Sequence, residues 1–518
     1  MGVGVLSRES QATQANASAY LLEPGGPGAV AVIDRSGAYT YSDLRAQTAS
    51  LVASIEAWSL PKGSRIGILA PNSLFWVASY LAVMHAGHVA VPFATTLTPE
   101  DVRSRAEFVG CVAHLVDRTL AVRFAEVFDA VALVADQSLV DVGAPDPLPP
   151  SAPVDPDDDA VLVFTSGTTA RPRAVRVSHR NILANTESII GYLGLDHDDR
   201  MLVVLPFSYC FGASLLHTHL RAGASISLCE TFAFPETVVE AIERDHCTGL
   251  AGVPSTYQRL LKASTFASRE LPSLRHLQQA GGRLPQVSLD AVAAAQPQAR
   301  LFVMYGQTEA TARLSYLPPE DRDAKPTSVG RGLDTVTLRV ADDAGRTLPA
   351  GHVGEIRARG PNIAKGYWND PEGTSAKFQD GELRTGDLGT SDDEGFVYIV
   401  DRKEDFIKSW GVRVSPHEIE DAVTGLQDVV AAAAVGRPDD QAGEAIVLFY
   451  TARDGAELAP AEVLLFSRRV LSRSLVPVEA HRIEKMPLNG NGKILRAALR
   501  ERAAVLHAGR DQAIHREN

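Results

Sequence analysis

The feature that most constrains the fold of this chain is an alternation of short apolar runs with longer amphipathic segments. The apolar runs have the length of strands and lie at 65–70, 160–164, 201–205 and 301–304. The amphipathic segments between them include 178–192 and 235–244. Strands that alternate with helices at this spacing are typical of parallel sheets covered by helices. The sequence therefore predicts an α/β architecture.

Two later segments depart from this alternation. From Gly330 to Arg359, short strand-like runs separated by Gly and Pro turns predict a β-rich subdomain. After Asp401 the pattern changes again and predicts a small α+β domain, with a polar tail from Ala503 that we expect to fray. The chain of 518 residues is long enough for about three domains.

The most hydrophobic stretch, from Leu74 to Ala94, contains the polar sequence His85-Ala-Gly-His88 at its middle. A membrane helix needs about 20 unbroken apolar residues. We therefore predict a buried helix that ends at Gly87, followed by a buried strand from Val89 to Phe93.

Charge and cysteine content exclude several classes of partner and site. The net charge of −13 disfavours nucleic acid and anionic membranes as partners. The four cysteines are scattered and form no Cys-x-x-Cys pair, which disfavours a disulfide framework and a structural zinc site. The N-terminus lacks the pattern of a secretory signal, so we expect a cytoplasmic protein.

A loop rich in hydroxyl groups follows the apolar run at 160–164. It reads Thr165-Ser-Gly-Thr-Thr-Ala-Arg-Pro-Arg173 and precedes a short strand and a helix near Ser178. Backbone N–H groups, hydroxyls and arginines are the donors that polyphosphate oxygens need. The sequence predicts a phosphate-binding loop, and a plain Ser/Thr turn with surface arginines is the weaker interpretation. The patterns of Walker P-loops, dinucleotide folds and serine-hydrolase elbows are absent.

Four further segments follow in a fixed order. They are Tyr305-Gly-Gln-Thr-Glu309, Gly381 to Asp387, the stretch from Tyr398 to Glu420, and Pro487-Leu-Asn-Gly-Asn-Gly-Lys493. Each alone fits a turn, a charged helix entry or a loop, but chance is a poor explanation for the set. Together with the hydroxyl-rich loop they resemble the adenylate-forming superfamily of acyl-CoA synthetases, peptide-synthetase adenylation domains and luciferases. The resemblance covers about Tyr39 to Leu499 and is closest to the acyl- or aryl-CoA ligases.

This resemblance implies a fold and a reaction. The fold is a large N-terminal domain, residues 1–400, of two α/β subdomains and a distorted β-barrel, with a small mobile α+β C-terminal domain, residues 401–518. In the reaction, a carboxylate attacks ATP to give an acyl-adenylate and pyrophosphate, and a thiol then displaces AMP. ATP, Mg²⁺ and CoA are the implied cofactors, and alternation of the small domain separates the two steps.

The resemblance also implies roles for individual residues. Lys493 is expected to stabilise the first transition state, Thr308 to contact the α-phosphate, and Glu309 to bind Mg²⁺. The other implied positions are Thr165, Ser166, Gly167, Thr168, Thr169 and Arg173 at the phosphates; Gly281, Gly282, Tyr305, Gly306, Asp387, Ile399 and Arg402 at the nucleoside; Glu404 at the hinge; and Lys408 and Gly411 at the CoA tunnel.

The acyl pocket is expected near the segment 205–212. Tyr209 and Phe211 are predicted to form one wall, and the other candidates are Gly212, Val253 and Ala280, although several of these also fit as plain core residues. The segment carries no Asp placed to bind an α-amine, which favours a plain aryl, fatty or polycyclic acid. We expect CoA as the acceptor in preference to a carrier protein, because no carrier domain follows Asn518.

The phosphate loop departs from the family pattern S-G-T-T-G-x-P-K-G at Ala170, Arg173 and Ala174. An alanine forced to positive φ costs roughly 1 kcal/mol or more, and arginine is not equivalent to lysine at a phosphate. We favour a working loop over one whose adenylation is weak or lost. The adenine-side motif differs at Arg283, which we expect to face solvent in preference to the nucleotide or acyl pocket.

The leading hypothesis is an ATP-dependent carboxylate–CoA ligase. The alternatives are a thioesterifying enzyme that takes its acyl-adenylate from a partner adenylating enzyme, a non-catalytic nucleotide- or acyl-binding homologue, and a luciferase-like oxygenase. Thr308, Glu309, Asp387, Arg402 and Lys493 are chemically apt and disfavour the non-catalytic alternative. The sequence leaves the acid and a homodimer open.

Overall fold

The computed structural model describes residues 15–127, 132–135, 148–165, 172–229, 232, 234–402, 405–439, 441–453, 455–489 and 492–517. Within these residues the strands form four sheets, of nine, six, five and five strands. The first two are mainly parallel and the other two mainly antiparallel. This arrangement confirms the predicted α/β class.

The nine-stranded sheet has six parallel strands at its centre and antiparallel strands at both edges. In spatial order its strands are Arg331–Gly332, Ser315–Leu317, Arg300–Tyr305, His276–Gln279, Gly249–Gly252, Arg200–Val203, Ser225–Leu228, Val30–Asp34 and Gly37–Thr40. The apolar runs predicted at 201–205 and 301–304 are two of its central strands.

The six-stranded sheet contains the other two predicted runs. In spatial order its strands are Ala132–Ala135, Cys111–Asp117, Arg65–Leu69, Val89–Pro92, Asp159–Phe164 and Ala174–Ser178. The last pair is antiparallel, because the hydroxyl-rich segment connects its two strands directly. A parallel pair would need a crossover connection.

Most helices of the large domain pack against these two sheets, whereas Pro371–Lys377 contacts strands of a further sheet. One cluster of buried apolar side chains joins residues of both sheets with residues of several helices. The helices are Ala17–Leu22, Tyr41–Ala57, Leu74–His85, Pro99–Val109, Arg118–Ala121, His179–Leu193, Cys210–Arg221, Glu236–Asp245, Pro254–Ala263, Gln286–Ala295 and Pro371–Lys377.

The helix Leu74–His85 is buried at every residue, and Gly87 follows it at φ +74°. The strand Val89–Pro92 comes directly after it and is also buried. The prediction of a buried helix and strand is confirmed. In the described part of the chain, no helix has the length and hydrophobicity that crossing a membrane would require.

A five-stranded antiparallel sheet forms a half-barrel, where the family resemblance implies a distorted β-barrel. Its strands are Thr337–Ala341, Gly354–Arg359, Glu382–Ser391, Phe378–Gln379 and Val397–Arg402. The register places Asp387 directly opposite Arg402. This pairing brings two predicted nucleotide-binding residues together at the end of the half-barrel.

The C-terminal part of the chain forms a smaller α+β unit. Its sheet contains Val412–Val414, Ile407–Ser409, Gly443–Ala452, Val429–Asp439 and Glu479–Arg482. Its helices are Pro416–Thr424, Pro460–Val470 and Arg496–Glu517. The exact boundary at residue 400 and the mobility of this unit stay predictions.

The polar tail continues as helix to Glu517, although we expected it to fray from Ala503. Leu499 and Ala503 are buried, and they pack in one cluster with Val435 and Phe449 of the small sheet. The segment is also rich in Ala, Arg and Glu, which are good helix formers. Tertiary packing and helix propensity therefore extend the helix beyond the point that composition suggested.

Candidate active site

The nucleotide side of the site lies at the carboxyl ends of adjacent parallel strands, where ligands of α/β sheets bind. Tyr305 ends the strand Arg300–Tyr305, and Gly281 and Gly282 come just after the neighbouring strand His276–Gln279. The half-barrel meets this edge because the Tyr305 hydroxyl donates to Asp387 Oδ2 at 2.6 Å.

Asp387 is the buried acceptor of this side of the site. Arg402 Nε lies 3.3 Å from its second oxygen, Oδ1. Burial and the charge of Asp387 hold the pKa of Tyr305 well above its usual value, so the tyrosine stays a hydrogen-bond donor. Asp387 raises the pKa of Arg402 in turn. The carboxylate oxygens of Asp387 keep lone pairs that can accept hydrogen bonds from a ligand.

Glycine at position 306 is required by a close approach of the backbone. A Cβ atom there would collide with the carbonyl of Ala312. The loop after Tyr305 folds back on itself at this point and places Thr308 and Glu309 in a short 3₁₀ helix, Thr308–Ala310. The next residue, Thr311, has φ +64°, a conformation that β-branched residues rarely adopt.

The loop is held by side chains from two other elements. The Tyr367 hydroxyl donates to Glu309 Oε1 at 2.7 Å. The Thr308 hydroxyl donates to Cys210 Sγ at 3.5 Å. Burial and the charge of Glu309 raise the pKa of Tyr367, which keeps its hydroxyl protonated. One carboxylate oxygen of Glu309 is thus held and the other remains available for a cation.

Lys493 enters the site from the small domain. Its Nζ lies 5.8 Å from the centre of the Tyr209 ring. The Asn489 side chain accepts a hydrogen bond from the Lys493 amide at 3.0 Å, and the Ser255 hydroxyl donates to the Gly492 carbonyl at 3.2 Å. Burial lowers the pKa of Lys493 and the nearby Arg402 lowers it further.

A second contact between the domains involves Arg283. Its Nη2 lies 2.6 Å from Asp421 Oδ2 in the small domain. Arg283 is exposed, as expected, and its guanidinium also meets a carboxylate that the small domain supplies. Sequence reasoning missed the pair because its members are 138 positions apart in the chain.

The acyl side contains a narrow, partly open cavity, with about 330 Å³ of space between its atoms when the part open to solvent is included. Its walls are mainly apolar, with the buried pair of Tyr80 and His217 on one side. The Tyr80 hydroxyl lies 3.0 Å from His217 Nε2, and burial lowers the pKa of His217 to about 3, so the imidazole is neutral. The residues that line the cavity are Tyr80, Pro92, Val161, Val163, Val177, Ile182, Phe207, Tyr209, Cys210, Ala213, His217 and Thr311.

Of the predicted acyl-pocket residues, Tyr209 lines this cavity directly. The others are packed nearby: Phe211, Val253 and Ala280 are buried. A Cβ on Gly212 would collide with the carbonyl of Pro206, so Gly212 permits a tight start to the helix that carries Cys210.

The predicted phosphate residues Ser166, Gly167, Thr168 and Thr169 lie outside the described residues, as do Ala170 and the hinge residue Glu404. The two ends of the phosphate loop are described. The Thr165 amide donates to the Arg173 carbonyl at 3.0 Å. The Arg173 guanidinium lies 5.5 Å from the centre of the Tyr367 ring and 3.7 Å from an oxygen of Asp370. Arg173 therefore lies next to the tyrosine that holds Glu309.

Three predicted residues remain. Ile399 packs against the core of the half-barrel, in a cluster that includes Tyr305. Lys408 and Gly411 are exposed on the small domain, where the Lys408 amide donates to Glu444 at 2.6 Å. The structure does not bring these last two residues to the nucleotide side.

Sequence reasoning missed several residues of the site. Lys377 Nζ donates to the Thr385 carbonyl at 2.7 Å, next to Asp387, and burial lowers the pKa of this lysine. Tyr367, Tyr80 and His217 are the other side chains that no motif marked. No local pattern distinguishes them from ordinary core residues, because only the packing of distant elements brings them to the site.

Comparison with known proteins identifies the family. Residues 24–368 match the model for "AMP-binding enzyme" and residues 418–493 that for "AMP-binding enzyme C-terminal domain". Feruloyl-CoA synthase from Amycolatopsis sp is 32% identical over 485 residues, covering 92% of this chain and 96% of that protein.

Two solved structures are similar over nearly their whole length. ATP-bound MatB from Rhodopseudomonas palustris is 28% identical with a TM-score of 0.86, covering 94% of this chain and 98% of that chain. The o-succinylbenzoate CoA synthetase of Bacillus subtilis, in complex with its acyl-adenylate intermediate, is 26% identical with a TM-score of 0.83, covering 93% and 97%.

These similarities confirm the predicted fold class and the predicted acid–thiol ligase activity with ATP. They support the complete ligase and not the alternative that depends on a preformed adenylate. The chain belongs to the AMP-binding enzyme family.

Proposed function

We propose that this chain joins an aryl carboxylic acid to CoA through an acyl-adenylate, with Lys493 acting in the first step only. The observation that carries the proposal is the insertion of Lys493 beside Tyr209, between the cavity and the nucleotide side. The apolar cavity suits a ring-bearing acid.

In the first step, the acid carboxylate attacks the α-phosphorus of ATP and pyrophosphate leaves. Lys493 is the cation placed where the carboxylate and the phosphate oxygens meet. Its effect is large because electrostatic interactions strengthen in a site that excludes water. Thr308 donates a hydrogen bond to the α-phosphate after it exchanges its weak contact with Cys210.

The nucleoside of ATP fits the residues around Asp387. The carboxylate accepts hydrogen bonds from the ribose hydroxyls, and Arg402 orients it. Gly281 and Gly282 leave room for the adenine because they present no side chain to it. Arg173 and the loop that begins at Thr165 bind the β- and γ-phosphates.

Magnesium fits Glu309, because a carboxylate oxygen is a preferred ligand of this hard cation and Tyr367 fixes the orientation of the carboxylate. The metal, when bound, supplies positive charge that offsets the charge of the phosphates. Tyr367 positions Glu309 and does not itself contact the substrate.

In the second step, the small domain rotates about Glu404, withdraws Lys493 and brings the segment of Lys408 and Gly411 to the acyl-adenylate. The CoA thiolate attacks the acyl carbon and AMP leaves. Rotation breaks the Arg283–Asp421 ion pair and the Ser255–Gly492 hydrogen bond. Both contacts are polar and small in area, which makes it feasible for the small domain to alternate between two orientations.

The test is Lys493→Ala, measured in both half-reactions. Ferulate is the probe acid for pyrophosphate exchange into ATP, and synthetic feruloyl-AMP is the probe for thioester formation with CoA. We expect exchange to fall roughly 100- to 1,000-fold, the range for loss of one preorganised electrostatic group. Thioester formation should stay within a few-fold of the wild type.

Lys485→Ala is the matched control, because Lys485 is an exposed lysine of the same domain and its loss should change neither half-reaction. Equal losses in both half-reactions of Lys493→Ala would contradict a role in the first step alone.

A further inference from the structure

Arg313 is a buried arginine close to residues that line the acyl cavity. It follows the Thr308–Ala310 turn by three residues, and it is only 2% exposed. Its guanidinium carbon lies 5.0 Å from the centre of the Phe211 ring, on the predicted acyl wall. The Tyr192 hydroxyl lies beside the guanidinium.

The charge of Arg313 has no carboxylate partner among the described residues. Its Nε and Nη2 atoms are buried and make no hydrogen bond to any described group. Burial of an unpaired cation is strongly unfavourable. The aromatic face of Phe211 offsets part of this cost through a cation–π interaction, but it leaves the N–H groups of Nε and Nη2 unsatisfied.

The two unpaired nitrogens share one edge of the guanidinium. Their N–H groups point in parallel, and this spacing matches the two oxygens of a carboxylate in a bidentate pair. A neutral hydroxyl or a single carbonyl would satisfy only one of them. The free edge therefore favours a carboxylate over other acceptors.

The neighbours of Arg313 place this edge of its guanidinium close to the acyl site. Tyr209 and Cys210 line the cavity and directly precede Phe211 in the chain. Thr311, two residues before Arg313, also lines it. The guanidinium is close enough to lower the pKa of both Tyr209 and Cys210 against the larger effect of burial. Arg313 therefore lies just behind residues that line the cavity, and its guanidinium contacts Phe211.

We propose that Arg313 binds a second carboxylate of the acid substrate, remote from the carboxylate that is adenylated. The inference rests on the proposed ligase function and narrows its substrate class to aryl acids with two carboxyl groups. One carboxylate reacts near Lys493, and the other pairs with Arg313 and offsets its buried charge. Such pairing also sets which of the two carboxylates is activated.

The test uses matched pairs of acids on three scaffolds: cinnamate, phenylacetate and 3-phenylpropanoate, each with a para-carboxylate or the corresponding methyl ester. The wild type should show a higher kcat/KM for the diacid than for its ester on at least one scaffold, by roughly 10- to 100-fold, the range for a charged hydrogen-bonded pair. Arg313→Met should remove this preference and leave the rate with the ester within about threefold.

Arg331→Met is the matched control, since Arg331 is exposed, and it should keep the preference. Thermal unfolding with and without diacid gives a readout that does not depend on turnover. The diacid should raise the Tm of the wild type and have no such effect on Arg313→Met.

Three results would overturn the inference. One is a wild type that accepts ferulate or the esters but prefers no diacid. Another is an equal loss of activity with diacid and ester in Arg313→Met, accompanied by a lower Tm, since a structural role predicts that result. The third is an undiminished preference in Arg313→Met. A wild type that activates none of these acids, ferulate included, would contradict the proposed function itself.

Discussion

At the scale of single residues, the geometry of the site depends on backbone atoms that an added side chain would displace. Gly306 is the sharpest case, because a Cβ there would meet the backbone carbonyl of Ala312, which cannot rotate away. The same loop carries Thr308 and Glu309. A shift of the backbone at Gly306 would therefore move the phosphate and metal ligands together.

We expect Gly306→Ala to lower kcat/KM for ATP by roughly 100-fold, because misplacement of catalytic groups by about 1 Å costs this much. The matched control is Gly191→Ala. Gly191 lies in the helix His179–Leu193, and a Cβ there would have no neighbour within 4 Å. That control should leave activity unchanged and stabilise the fold by up to about 1 kcal/mol. Wild-type kinetics in Gly306→Ala would contradict the close approach.

At the scale of elements, the loop of Lys493 is anchored by the start of the last helix. Arg496 donates to both oxygens of Glu420 on the helix Pro416–Thr424, at 2.6 and 2.9 Å. His417 also lies 3.1 Å from this carboxylate. Burial alone would raise the pKa of Glu420, but Arg496 and His417 outweigh it, so the pKa lies well below its usual value.

Arg496→Leu should destabilise the small domain by roughly 3–5 kcal/mol, because it leaves Glu420 as an uncompensated buried charge. Arg502→Leu, an exposed change on the same helix, is the control. The pKa of Glu420 is lower in the folded chain than in the unfolded chain. The ion pair with Arg496 therefore stabilises the fold fully when the pH is above the pKa of Glu420 in the unfolded chain. This stabilisation is lost as the pH falls through the pKa of Glu420 in the folded chain.

The measurement for Arg496→Leu is thermal unfolding between pH 7 and pH 3. The difference in Tm from the wild type should be largest near neutrality and shrink in acid. A difference that does not depend on pH would argue against the charge of Glu420 as its cause.

At the scale of the whole molecule, the orientation of the two domains decides which half-reaction is possible. The described contacts that hold Lys493 in place include the Arg283–Asp421 pair and a hydrogen bond from Lys262 Nζ to the Val430 carbonyl at 3.1 Å. Each is partly exposed and therefore weak. Their weakness is compatible with alternation, because a strong interface would trap one orientation.

We expect Arg283→Asp to slow adenylation about two- to five-fold, the effect of a partly exposed ion pair, and to leave thioester formation from acyl-AMP unchanged. The charge-reversed double variant, Arg283→Asp with Asp421→Arg, should restore much of the rate. Single-turnover measurements of each half-reaction check this. A double variant no better than the single one would show that the pair does not bias the domains.

Much of the fold follows from local pattern. The central strands, the buried helix Leu74–His85 and the small C-terminal unit could be predicted because helix and strand periodicity are local properties. The motifs also marked Tyr305 and Asp387, which the structure brings together through a hydrogen bond. The roles of Tyr305, Thr308, Glu309 and Asp387 in the reaction stay predictions. The tail beyond Ala503 was not, because its helix is stabilised by contacts with a sheet formed elsewhere in the chain.

The sequence by itself determined the fold class, the family and the motifs that carry the reaction, because short segments encode them. Only the tertiary structure decided which side chains hold these segments in place and which side chains are available to select the acid substrate. Tyr367 meets Glu309 across 58 residues, Arg283 meets Asp421 in another domain, and Arg313 is enclosed beside Phe211. The physical reason is that such contacts depend on the packing of distant elements, which no local pattern records.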